Sequence, residues 1–194
     1  MSAATLLPRA PVMTAQRTPL DALLPGRRAA LLRRTAAGAQ TELLGYVTRV
    51  DSDSVEVEDV RGLRHLVPAN EVAAARTLGV SLGRDPMRAD PAELDRLAGG
   101  QGIHARLVVR IATLLDGREP PRQLPFEPTG STARLGALTV GVDGEWATIT
   151  GASADPAELV QLAWWATRRG ARSLQVRSAG VSGLGGLGFV ELRG

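Results

Sequence analysis

The stretch from Arg134 to Arg177 constrains the fold more than any other. Two apolar segments, RLGALTVGV (134–142) and EWATITG (145–151), flank Asp143-Gly144. A DG pair between alternating apolar residues is a strong short-range sign of a β-hairpin. The spacing that follows predicts a helix over 156–169. Asp155 suits its N-cap, Pro156 its first turn, Glu158 the reciprocal place in a capping box, and Gly170 the residue just past its end. SLQVR (173–177) then reads as a strand, SAGVSGLGGLG (178–188) as a loop and FVELR (189–193) as a last strand. The hexapeptide ADPAEL that opens this helix also stands at 89–94, where it opens a shorter helix stopped by Gly99-Gly100. Apart from one Leu-Ala pair the likeness ends after Leu159, so the repeat is one helix start used twice.

The first third of the chain is strand-like. RRAALLRR (27–34) and ELLGYVTRV (42–50) are apolar segments separated by a turn-like AAGAQ. SVEVE (54–58) alternates with a period of two, and LRHLVP (63–68) stops at Pro68. Such close spacing predicts a small barrel or an open meander, with one short helical turn in PANEVAAART (68–77). In IHARLVVRIATLLDG (103–117), apolar residues at 103, 107, 111 and 114–115 give a helical spacing that Gly117 ends. Its β-branched content leaves a strand open as the alternative. EPPRQLPFEPTG (119–130) is a proline-rich connector, and residues 1–25, rich in Pro, Ala and Thr, read as a flexible tail.

Composition narrows the chemistry. With 44% hydrophobic residues the chain can build a core, and no apolar run approaches the roughly 20 residues that span a bilayer. The absence of cysteine excludes disulfides, thiolate metal sites and a cysteine nucleophile. The 23 basic residues are all arginine, which removes Schiff-base chemistry and reads as the bias of a GC-rich genome. The pI of 10.7 points towards nucleic acid, but the net charge is only +3 and the arginines are interleaved with carboxylates. The N-terminal segment lacks the continuous apolar stretch of a secretory signal, so the expected location is the cytoplasm.

GEWATITGASADP, WATRRGARSLQV and the late LGF (187–189) together resemble the C-terminal half of GNAT-superfamily N-acetyltransferases. PGRRAALLRR, TELLGYVTRVD and VEVEDVRGLRHLVPANEVAAAR are similar to the SH3-like barrel that actinobacterial members carry at their N-terminus. The collinear segments cover about two-thirds of the chain, leaving 84–130 poorly matched. The resemblance implies an α+β fold: a small N-terminal SH3-like β-barrel (26–78), a helical or linker region (79–130) and a shortened GNAT-like α/β half (131–194). It also implies acetyl-CoA as cofactor, its pantetheine arm held by backbone amides of Ile149, Thr150 and Gly151.

Two departures bear on that activity. The family's glycine-rich pyrophosphate loop, which sets backbone N–H groups and a helix dipole against the anion, has no counterpart before Asp155-Pro156-Ala157-Glu158. Asp155 and Glu158 instead favour their own helix start and would repel a diphosphate. Leu184 stands where the family often has the tyrosine that protonates the leaving thiolate. The reading that follows is a degenerate acetyltransferase-like protein acting through protein partners, with no catalytic residue and no metal site. The alternatives are an active acyl-CoA-dependent N-acetyltransferase and a nucleic-acid-binding barrel.

Other motifs carry little. Gly183 to Gly188 spells G-x-G-x-x-G, but the chain ends six residues later, without the helix a dinucleotide site needs. His65 and His104, the only histidines, lack metal-ligand spacing. Trp164 and Trp165 diverge by about 100° on a helix and are both core only if that helix is covered on two sides. Arg27, Arg28, Arg33 and Arg34 would serve phosphate contacts, yet Tyr46 is the only aromatic nearby for stacking.

Overall fold

A computed structural model describes residues 18–97, 106–121, 123–124, 130–151, 155–177 and 184–192. Two sheets make up the molecule, each with its own apolar cluster. The α+β class holds.

The first sheet contains β1 (Arg28–Arg34), β2 (Gln40–Val50), β3 (Ser54–Glu58), β4 (Arg64–Pro68) and β5 (Val72–Leu78), in the order β4-β3-β2-β1-β5. All its pairings are antiparallel. The period-two alternation does the work: Val55 and Val57 turn inward with Ala29, Leu31, Val47, Val67 and Val72. Asp59 organises the β3–β4 turn, its carboxylate accepting from the N–H groups of Arg61 and Leu63 and pairing with His65 Nε2, each at 2.9 Å. His65 is therefore a satisfied structural residue. The ladder does not close, since β4 and β5 are both edges, so the expected barrel is an open five-stranded sheet.

One expectation holds for part of its segment and another fails here. The segment 68–77 gives one 3-10 turn (Ala69–Glu71) and then β5, because the open edge of β1 offers its alanine-rich chain a ladder. The tail expectation fails for residues 18–25. Pro19–Ala22 forms a 3-10 turn, Leu20 and Leu23 are buried in the first core, and Thr77 Oγ1 donates to Ala22 O at 2.8 Å. Two buried leucines outweigh the composition of this segment. Residues 1–17 lie outside the described ones.

The second sheet contains β6 (Arg106–Arg110), β7 (Thr132–Leu135), β8 (Leu138–Asp143), β9 (Trp146–Thr150), β10 (Ser173–Arg177) and β11 (Val190–Leu192), in the order β11-β6-β10-β9-β8-β7. Only β9 and β10 pair parallel, and the helix α3 (Pro156–Arg168) connects them. Short helices α1 (Pro91–Leu97) and α2 (Ile111–Leu114) precede. The segment 103–117 is thus no helix over 106–110. Arg106–Arg110 is inserted between β10 and β11, and its valines reward a ladder more than a helix. Of the stretch 79–130, residues 106–110 thus belong to the second sheet. A further turn interrupts 134–142 at Gly136-Ala137, where Gly136 has φ +56°. Gly144, at φ +57°, opens the predicted β8–β9 turn in the same way.

Both helix starts behave alike. Asp90 accepts from Ala92 N and Asp155 from Ala157 N, each at 2.9 Å, and the leucine at the end of each hexapeptide, Leu94 or Leu159, is fully buried. Glu158 does not reach back in a capping box. It turns to the β7–β8 turn, where a Cβ on Gly136 would meet its Oε1 at 2.4 Å. Trp164 and Trp165 are both buried, because α3 lies between the apolar face of the sheet and α2.

The two sheets meet at the C-terminal end of α3. Arg169 forms a partly buried ion pair with Glu58 at 2.5 Å, and Arg27 pairs with Glu119 at 2.7 Å. Tyr46 and Thr167 share a buried hydroxyl hydrogen bond of 3.1 Å. Gly62 and Gly170 permit the close approach, since a Cβ on either would come within 2.9 Å of Arg169 or Val60, respectively.

Candidate functional site

Alternation gives the second sheet one apolar and one polar face. Val140, Ala147, Ile149, Leu174 and Val176 face α3. The opposite face carries Trp146, Thr148 and Thr150 on β9, Ser173, Gln175 and Arg177 on β10, and Arg106 on β6, brought side by side by the register. Helix α1 lies over the middle of this polar face. Gln175 Nε2 donates to Thr148 Oγ1 at 2.7 Å and to Leu94 O at 3.3 Å. Asp95 receives Arg106 at 2.5 Å and Arg177 at 2.7 Å, and Arg106 also reaches Pro91 O at 3.4 Å. Helix and sheet are fastened by charge-assisted bonds, the stronger class.

The residues singled out for a pantetheine arm sit on β9. Ile149 is fully buried in the second core, and Thr150 is exposed at the end of the strand. Both edges of the strand are occupied this far: Ile149 pairs with Val140 and Val176, Thr150 with Thr139 and Arg177. Gly151 follows the last paired position, packed so closely that a Cβ would meet Ala137 O at 2.6 Å. The Asp155 carboxylate occupies the N-terminus of α3, where a pyrophosphate would be received. The backbone of Ile149 and Thr150 is thus engaged within the sheet, and the helix N-terminus by its own carboxylate. Leu184, which the resemblance would set in the place of an acid, is buried in a 3-10 turn (Leu184–Leu187) and has no proton to give. Residues 152–154 and His104 lie outside the described ones, as does Gly183 of the G-x-G-x-x-G match.

A groove of about 670 Å³ lies between the stretch 84–97 and the β8–β9 turn. Arg84, Arg88 and Arg96 line it beside Asp90, Glu93 and Glu145, with the half-buried Trp146 among them. Its charges are partly neutralised, Arg96 by Asp143 at 3.4 Å and Asp85 by Arg110, from outside the lining, at 3.7 Å. The arginines at the start of β1 form no single stripe, because Arg27, just before it, is engaged by Glu119 while Arg28 faces the joint between the sheets. Sequence reasoning missed the Asp95 cluster and the groove. Polar alternation at 146, 148 and 150 and at 173, 175 and 177 was the available sign of the polar face. Comparison with profiles of known families, with curated proteins and with solved structures finds no match to this chain. Among the described residues no helix is long and apolar enough to cross a membrane.

Proposed function

We propose that this chain is a degenerate GNAT-like protein that transfers no acetyl group and works by holding a protein partner. The observation that carries the reading is the occupied strand: β9 is paired on both edges through Thr150, so its backbone is spent on the sheet. The hairpin, α3 and β10 follow one another as in the resemblance, and the open sheet β4-β3-β2-β1-β5 takes the place of its SH3-like barrel. The groove beside Trp146 is the docking place. Its interleaved charges suit a polypeptide segment of mixed charge, whereas a polyanion needs uncompensated arginines.

Calorimetry with acetyl-CoA tests the reading. A competent pyrophosphate grip supplies several charge-assisted hydrogen bonds, each worth about 1.5–3 kcal/mol. Without one, the expected affinity is about millimolar, near −4 kcal/mol, or no heat at all. Micromolar binding would overturn the degenerate reading and make the chain an acyl-CoA-dependent N-acetyltransferase.

A further inference from the structure

The joint between the sheets encloses a second cavity, of about 230 Å³. Its polar lining consists of Arg28, Arg168 and Arg172 with the hydroxyls of Tyr46, Ser81 and Thr167, and it contains no carboxylate. None of the three arginines forms an ion pair with a described carboxylate. Arg168 is the sharpest case. It is 8% exposed, its Nε has no partner among the described residues, and its only hydrogen bond there runs from Nη2 to Pro121 O at 3.3 Å. Its guanidinium carbon lies 5.7 Å from the centroid of the Tyr46 ring. Glu58, the nearest acid to act on it, is engaged by Arg169.

Burying an arginine without a counter-charge is costly, and three cations around one cavity repel one another as well. The cost shows at Arg168, where burial draws the pKa below the usual arginine value. An anion in the cavity offsets both terms. At about 30 Å³ per water the space equals roughly eight waters, enough for a phosphate group with a small substituent. Its rim reaches solvent at Leu44 and Val60, which are 43% and 54% exposed.

We propose that this cavity binds a phosphate-type oxyanion, free or as the phosphate of a small monoester, and so ties the two sheets together. Arg28 and Tyr46 come from the first sheet and Thr167, Arg168 and Arg172 from the end of α3 and just beyond, so one anion bridges both. Binding that requires the assembled joint raises apparent stability by mass action.

The test uses the full chain. Inorganic phosphate and glycerol phosphate are titrated by calorimetry and thermal melting, against chloride at equal ionic strength. Saturable binding at about 1 mM or tighter is expected, with a melting temperature that rises with ligand. Arg28→Gln and Arg172→Gln, at half-buried positions, keep the fold and should each weaken binding about tenfold or more. Tyr46 is the only tyrosine, so its ultraviolet titration reports this cavity alone, and bound phosphate should move the phenol pKa upward. Tighter binding of the monoester assigns the site to a phosphorylated small molecule, and equal or weaker binding assigns it to free phosphate. Heats that merely follow ionic strength, or arginine variants that bind like the wild type, would overturn the site.

Discussion

The two sheets are built by opposite routes. The first is a run of hairpins: β1 to β4 pair in chain order, and β5 returns to the open edge of β1. The second collects its strands from far apart, with β6 slotted between β10 and β11. The first builds its core on one side of a single sheet, with Leu20 and Leu23 added from outside it. The second spends one face on α3 and fastens α1 to the other through Gln175, Arg106 and Arg177. Contiguous strands need little besides alternation and turns. Strands from distant segments need a helix on each face to hold them in register.

The largest test of that contrast is Trp165→Ala. This side chain is fully buried in the second core, and its loss should cost about 3–5 kcal/mol. Hydrogen exchange should show protection falling in 106–192 while 28–78 keeps its own. Equal loss in both would make the molecule one cooperative block. Next is the joint. Arg169→Met leaves the partly buried Glu58 without a partner, its side chain 12% exposed, and should cost about 1–3 kcal/mol. Adding Glu58→Leu should recover most of this loss in a double-mutant cycle by urea unfolding, and additive losses would remove the pair from the joint. Asp155→Ala removes the cap of α3 and should cost about 1 kcal/mol, felt in the second sheet alone. The smallest effect is pH dependence. Burial opposes the charge of Asp59, but hydrogen bonds from His65 and the N–H groups of Leu63 and Arg61 hold its pKa below 3.8. That stability is present above pH 3.8 and lost as pH falls through the lower folded value, in the first sheet. Burial raises Tyr46 above 10.0, despite the Thr167 hydrogen bond and the field of Arg28, Arg168 and Arg172. The joint therefore weakens as pH rises beyond 10.0 towards that folded value, and Tyr46→Phe should flatten the alkaline limb of a stability profile.

Legibility follows the same division. β1 to β4, the β8–β9 hairpin, α3 and β10 were readable because alternation, a DG turn and a cap are local signals. Arg106–Arg110 stayed open between helix and strand because its apolar spacing fits a period of 3.6 as well as a short strand, and its ladder partners lie far along the chain. β5 was obscured by alanines whose propensity favours a helix when no sheet edge is at hand. At the site, the cap at Asp155 was visible, since Asp-Pro at a helix start acts within one turn. The joint cavity was not, because Arg28, Tyr46 and Arg168 meet only after both sheets have formed.

The place of β6 also has a consequence for synthesis on the ribosome. Its register partner in β10 begins at Ser173, opposite Arg110, so the strand leaves the exit tunnel long before anything can pair with it. The first sheet, whose partners all lie within Arg28–Leu78, can close while translation continues. Meanwhile LVVR waits with its valines uncovered, the kind of transient edge that draws nascent chains together. The arginines at both of its ends, Arg106 and Arg110, are charged gatekeepers during that delay. In the folded chain they pair with Asp95 and Asp85.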